Sequence, residues 1–197
     1  MIGLFLGEKE LPIEILKKIE RKKLNYFIID LTKNNKFKKN KNSFFINIGK
    51  FGEILKLIKF KKCKKVIFAG NIIKPKISKL KLDLKGLMYI PRVIKAAKLG
   101  DAAILKVLIK ILLENDIKVI KLNEFNPELT LKKGIYTKIK PSNLDKKEIF
   151  KGIKILKKIN SYNHTQAAII RNNKVISLEK RKGTKEMIKS IAKSKDK

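Results

Sequence analysis

Three glycine positions stand where the chain could bring bare backbone against a phosphate. Gly7 follows the apolar run 2–6, Gly70 and Asn71 follow the apolar run 66–69, and Gly100 with Asp101 precedes the apolar stretch 102–113. Glycine admits close approach of a ligand to the main chain, and asparagine adds one donor and one acceptor in a single side chain. A glycine-rich turn after a first strand would hold a pyrophosphate on backbone N–H groups and a helix dipole. Here Glu8 and Lys9 stand in place of further glycines, so a dinucleotide fingerprint is absent and an ordinary strand-to-helix turn explains Gly7 equally well. A simple turn is the competing reading of Gly70 and Asn71, and N-capping is that of Asp101. His164 is the single histidine and receives no chemistry. No carboxylates cluster at metal-ligand spacing, and Cys63 is the lone cysteine, expected as a reduced, partly buried thiol.

The elements that must position these residues follow from hydrophobic period. Residues 2–6 and 26–30 are compact apolar runs flanking an amphipathic helix over 11–23, in which Leu11, Ile15, Leu16 and Ile19 share a face. That order predicts a βαβ unit with buried parallel strands. Residues 32–43 form a lysine- and asparagine-rich solvated loop. A third strand is expected over 44–48, a helix after Gly49 carrying Ile54, Leu55 and Ile58, and the clearest buried strand over 66–69. The carboxyl end of such a strand is where open α/β sheets place ligands. An irregular segment from Lys74 and Pro75 leads to two helices broken at Gly100, the second largely buried, and then to a strand over 117–120. After a lysine-rich connection come a helix over 145–159 and strands over 166–170 and 174–178. Asn172 and Asn173 suit the positive φ of the tight hairpin between them, and a helix over 183–192 closes the reading. The predicted fold class is α/β: a Rossmann-like N-terminal domain with a mostly parallel sheet over residues 1–134, then an incomplete α+β domain starting at 142–197.

The chain of 197 residues carries a formal net charge of +33. Such a charge ordinarily points to nucleic acid through counterion release. Only four of the fifty basic residues are arginine, the side chain best suited to bidentate phosphate recognition, and no aromatic stacking platform accompanies the lysines. The joint enrichment in lysine, asparagine and isoleucine is what low-GC coding yields without selection for binding. A nucleic-acid partner is therefore not expected, although a basic nucleic-acid-binding protein stays as the alternative. No apolar run reaches bilayer-spanning length, and Glu8, Lys9 and Glu10 interrupt the first apolar run too early for a signal peptide. The expected location is the cytoplasm, with peripheral contact at an anionic inner-membrane surface through the basic exterior.

The order of local motifs resembles that of the UDP-2,3-diacylglucosamine pyrophosphatase family of lipid A biosynthesis. Ile2, Gly3, Leu4, Gly7, Leu11 and Pro12 are similar to its opening, where further glycines stand at the positions of Glu8 and Lys9. Gly49, Phe51 and Gly52 resemble its next motif. Phe68, Ala69, Gly70, Asn71 and Pro75 look like its strand-end motif, with Lys74 where arginine is usual. Asp83, Gly86 and Leu87 follow, then Ala97, Lys98, Gly100, Asp101 and Leu105, and later Gln166, Ala167, Glu179, Gly183 and Thr184. Acidic positions of the family correspond here to Asn163, Lys182 and Lys185.

The resemblance implies a hydrolase of lipid metabolism that uses Mg2+ to split the pyrophosphate of UDP-2,3-diacylglucosamine into UMP and 2,3-diacylglucosamine 1-phosphate. The substrate-binding residues it implies are Gly7, Gly70, Asn71, Gly100, Asp101, Gln166, Glu179, Gly183 and Thr184. The family's essential aspartate lies downstream of its Gly-Thr segment, so it falls beyond Lys197 and no residue of this chain inherits it. The chain reads as an incomplete copy, and an inactive fragment or pseudoenzyme is the further alternative.

Overall fold

Short apolar runs make the inner strands of the central sheet, which are covered on both faces, while the edge strands are more exposed. The computed structural model describes residues 1–73, 79–159, 165–180 and 183–192; Lys74, Pro75, Asn163, His164 and Lys182 lie outside them. Strands β1 (Ile2–Leu6), β2 (Tyr26–Asp30), β3 (Ser43–Phe45), β4 (Lys65–Ala69) and β5 (Lys118–Val119) form a parallel sheet in the order β3-β2-β1-β4-β5. This is the doubly wound order, whose direction of winding reverses between β1 and β4. The α/β class predicted from the sequence is observed, with a small antiparallel hairpin following it.

Period-two alternation sorts the strand side chains between two layers. Leu4, Leu6, Ile28, Ile67 and Ala69 pack with Ile15 and Ile19 of α1 (Leu11–Arg21), while Leu122 and Phe125 of α5 (Leu122–Phe125) lie against the same cluster. On the other face Phe5, Phe27, Ile29 and Val66 meet α2 (Phe51–Phe60), α3 (Leu84–Ala97) and α4 (Asp101–Leu113) through Ile54, Ile58, Tyr89, Ile111 and Leu112. Burying each of these large side chains contributes about 1.5–3 kcal/mol relative to exposure. Cys63 is a buried free thiol whose Sγ lies 3.1 Å from the Lys65 carbonyl oxygen.

Two expectations need correction. Helix α4 is not largely buried: Ala103, Ile111 and Leu112 are, but Leu105 and Leu113 are exposed. A sheet layer covers one stripe of a helix, so an all-round apolar sequence still leaves a face in solvent. The lysine-rich segment 32–43 is also anchored rather than merely solvated. The carboxylate of Asp30, fully buried at the end of β2, accepts from the Thr32 N–H and hydroxyl with Oδ1 and from the Phe37 N–H with Oδ2. Further along, Asn40 donates to the Tyr26 hydroxyl at 2.8 Å.

The chain divides into two compact units, Met1–Ile94 with Leu105–Lys132 and Lys95–Ile104 with Lys133–Lys197. In the second unit, α6 (Asn143–Lys158) begins two residues earlier than the apolar period suggests, because Ser142 and Asp145 form a reciprocal capping box. Strands β6 (Ala168–Arg171) and β7 (Lys174–Leu178) pair as the expected hairpin, with Asn172 at φ 49° and Asn173 at φ 55°. Both central residues of this tight turn take the positive φ that asparagine tolerates. Helix α7 (Thr184–Ala192) follows.

Candidate functional site

The tips of β1 and β4 meet where the sheet reverses its winding. The Gly7 N–H donates to the Ala69 carbonyl at 2.9 Å, and Glu8 and Asn71 exchange N–H···O bonds of 2.7 and 3.2 Å. Gly7 and Gly70 are thereby forced. A Cβ on Gly7 would collide with the Asn71 carbonyl, while one on Gly70 would sit 2.5 Å from Pro12 Cγ and 2.6 Å from the Glu8 oxygen. Gly70 also holds φ +88°, a left-handed conformation that L side chains adopt at a cost. These glycines serve backbone-to-backbone packing, and the Gly7 N–H is already committed to it. The Asn71 side chain, by contrast, is exposed and makes no hydrogen bond to any described residue. Among the described residues its carboxamide has no partner.

Glu8 and Lys9, which stand in place of further glycines, each have a structural role at this tip. Glu8 reaches across to the loop after β2, pairing with Lys36 and accepting from the Lys33 N–H at 2.9 Å. The Lys36 hydrogen bond, followed by that from Lys33, holds its carboxyl below the usual glutamate range. Lys9 stands at φ +77°, so the backbone keeps a glycine-like conformation on a lysine. The first turn of α1 carries Glu14, and Glu10 stands at its cap, so that helix end is already complemented by carboxylates and poorly suited to an anion.

A second motif group, Gly49, Gly52, Asp83 and Gly86, forms one packing node. The Asp83 carboxylate accepts from Glu53 N–H at 3.0 Å near the start of α2 and from Gly86 N–H at 2.7 Å in the first turn of α3. A Cβ on Gly52 would lie 2.8 Å from Asp83 Oδ2, and one on Gly86 would strike the Gly49 carbonyl. Burial raises the Asp83 pKa, but the N–H donors of Gly86, Gly52 and Glu53 and the charge of Lys50 outweigh it, and the net direction is down.

Within the second unit, Gln166, Glu179, Gly183 and Thr184 come together around one carboxylate. Glu179 is only 8% exposed; its Oε1 accepts from the Thr184 hydroxyl and its Oε2 from the Gln166 N–H, both at 2.7 Å. Its own N–H donates to the Ala167 carbonyl at 2.9 Å, extending the hairpin ladder by one rung. The Thr184 hydroxyl foremost, then the Gln166 N–H, lower the Glu179 pKa despite desolvation. Gly183 takes φ +87° so that the chain can turn into α7. Gly100 and Asp101 open α4: Gly100, at φ +112°, accepts from the Ala103 and Ile104 N–H groups, so the glycine is the cap and Asp101 is the first helical residue. This corrects the reading of Asp101 as the N-cap.

Asp30 and Thr32 were invisible as organisers of the strand tips in the sequence. The one available signal was a carboxylate ending a buried apolar run with a hydroxyl two residues on. An acid at the end of the second strand suits a ribose in some doubly wound folds, but here all its oxygens are occupied by its own loop. For a divalent cation the fit is poor: among the described residues no three His, Cys, Asp or Glu side chains converge, and Glu8, Asp30, Asp83 and Glu179 are each satisfied by protein donors.

A doubly wound α/β unit with glycines crossing at its switch point, followed by a helix-backed hairpin knotted around a glutamate, defines a two-unit α/β protein. The family model of the LpxI N-terminal domain matches residues 1–129, and that of the LpxI C-terminal domain matches residues 132–197. The chain belongs to the LpxI family. It is 30% identical over 147 residues to a protein of Caulobacter vibrioides (strain ATCC 19089 / CIP 103742 / CB 15) named UDP-2,3-diacylglucosamine pyrophosphatase LpxI, a match covering 75% of this chain and 52% of that protein. The chain thus aligns to about half the length of that curated relative.

Proposed function

We propose that this protein binds UDP-2,3-diacylglucosamine and acts in the hydrolysis of its pyrophosphate bond, releasing UMP and 2,3-diacylglucosamine 1-phosphate in lipid A biosynthesis. Family membership and the relative's name support the substrate class. The observation that carries the reading to a place on this chain is Asn71. It stands at the β1–β4 switch point, exposed, with a carboxamide that no described residue uses. There its Nδ2 donates to a phosphoryl oxygen or its Oδ1 accepts from a ribose hydroxyl, while Gly7 and Gly70 fix the backbone that aims it.

Magnesium belongs to this proposal through the family resemblance alone, and no described side-chain set is assigned to it. What a divalent cation supplies to such a reaction is neutralisation of the diphosphate charge. The chain's own contribution is orientation: Asn71 at the strand tips, and the Glu179–Thr184 knot presenting the start of α7. Gly100 and Asp101 are included as further substrate contacts at the opening of α4. Peripheral contact with an anionic membrane surface is part of the same reading, since two acyl chains keep the substrate in a bilayer.

Binding of UDP-2,3-diacylglucosamine in nonionic detergent micelles tests this, with Asn71→Ala beside the unaltered chain. Loss of one hydrogen bond to a charged group is expected to weaken binding about tenfold or more. Equal binding by both, with the fold intact by circular dichroism, would remove Asn71 from the site. Release of UMP with and without magnesium, followed by phosphorus NMR, tests the reaction itself.

A further inference from the structure

Helix α6 shows an outer face that the fold leaves unused. Its inner side lies close to β6, because Gly152 is buried there and a Cβ on it would meet Ile170 Cγ1 at 3.5 Å. Its acidic residues are both spent on structure. Asp145 closes the capping box with Ser142, and Glu148 accepts from the Asn173 N–H at the hairpin turn at 2.7 Å. Lys151 likewise donates to the Asn173 carbonyl. Off the stripe that Gly152 buries stand Ile149, Phe150 and Ile153, exposed to 52%, 71% and 44%.

Lysines surround these apolar residues. At about 100° per residue, Ile149, Ile153, Lys146, Lys157 and Phe150 fall in one sector roughly 100° wide, with Lys147 and Lys154 on its flank. None of Lys146, Lys147, Lys154 and Lys157 pairs with a described carboxylate. Phe150 and Ile153 also line an open hollow with Lys147, Lys154 and Lys157, bounded on the hairpin side by Lys151 and Asn173. A helix with exposed phenylalanine and isoleucine among unpaired lysines has the composition of an element lying in a membrane interface, where the lysine stems reach outward to phosphates.

We propose that the outer face of α6 docks on an anionic lipid surface, with Ile149, Phe150 and Ile153 entering the boundary between headgroups and acyl chains. The proposal rests on the reading that the protein handles a lipid-linked substrate, and it names the element that brings the chain to the bilayer. Charge complementarity selects this occupant. A second copy of the same face would set unpaired lysines against lysines, which repel. Nucleic acid would satisfy the lysines and let Phe150 stack on a base, but it would leave Ile149 and Ile153 without an apolar partner.

The experiment is co-sedimentation of the full chain with phosphatidylcholine vesicles, with and without phosphatidylglycerol. Binding is expected only to the anionic vesicles and should weaken as salt is raised, each well-placed lysine contributing about fivefold at moderate ionic strength. Phe150→Ser with Ile153→Ser is expected to lower partitioning at least about tenfold. Lys154→Glu with Lys157→Glu should abolish it and flatten the salt dependence. Leu87→Ser with Met88→Ser, on the exposed side of α3, should leave it unchanged. Circular dichroism checks that every variant is folded. Vesicle binding indifferent to lipid charge, or equal binding by the Phe150/Ile153 variant, would overturn the proposal. Substrate affinity in nonionic micelles is read on the same proteins. Retained affinity in the α6 variants separates loss of docking from loss of the site, and failure of the unaltered chain to bind substrate there would sink the functional reading instead.

Discussion

The two units solve the problem of apolar surface differently. In the first, helices cover both faces of a parallel sheet, and Leu4, Leu6, Ile15, Ile19, Ile28, Ile29, Ile67, Ile111 and Leu112 are wholly removed from solvent. In the second, Met187, Ala96 and Ala103 are the buried apolar residues among those described, while Ile149, Phe150, Ile153, Val175, Ile176 and Ile188 stay exposed. Buried apolar area is the main source of folding free energy, so the first unit is a stable platform. The second buries less apolar surface among its described residues, and its order depends more on polar knots such as Glu179–Thr184.

The largest test of that contrast is truncation in each unit. Ile28→Ala, in the central layer, is expected to cost about 2–5 kcal/mol in urea denaturation, while Ile176→Ala should stay within about 0.5 kcal/mol. Equal losses would erase the distinction. Gly70→Ala follows, because it adds a Cβ against Pro12 and Glu8 at a left-handed φ; about 1–3 kcal/mol is expected from the backbone conformation alone. Lys9→Gly should move the other way by about 0.5–1 kcal/mol, since φ +77° suits glycine better than lysine.

Acid tests the second unit where it relies on a carboxylate. The folded pKa of Glu179 lies below the ordinary 4.5, so its contribution is complete above that pH and is lost as the pH falls through the depressed value. Protection factors of the β7 and α7 amides, with the intrinsic slowing of exchange in acid divided out, should therefore fall on acidification. Glu179→Gln should show low protection already at neutral pH and little further loss, and an unchanged acid response in that variant would assign the effect to another group.

Much of the first unit was legible because its elements are long or strictly periodic. The runs at β1, β2 and β4 are short, apolar and bounded, and α1 places Ile15 and Ile19 on one face, so local pattern and tertiary burial agree. The extent of β3 was overread by three residues at its end, since Ile46 and Ile48 continue an apolar alternation after the pairing with β2 has stopped. The start of α6 was missed because a capping box outweighs the apolar period. At the strand tips the glycines were visible, but not their reason. Spacing cannot show that the Asn71 carbonyl lies against Gly7 or that Pro12 lies over Gly70, because those contacts join segments more than fifty residues apart. Nor could it show that Asp30 is consumed by its own loop, or that no described residue takes the Asn71 carboxamide.

The most direct measurement is the side-chain amide NMR resonance of Asn71 during titration with UDP-2,3-diacylglucosamine in nonionic micelles. The expected result is a saturable shift of that resonance, absent when diacylglucosamine without the nucleotide diphosphate is added. A resonance that stays fixed while others in the protein respond to the substrate would contradict a strand-tip site.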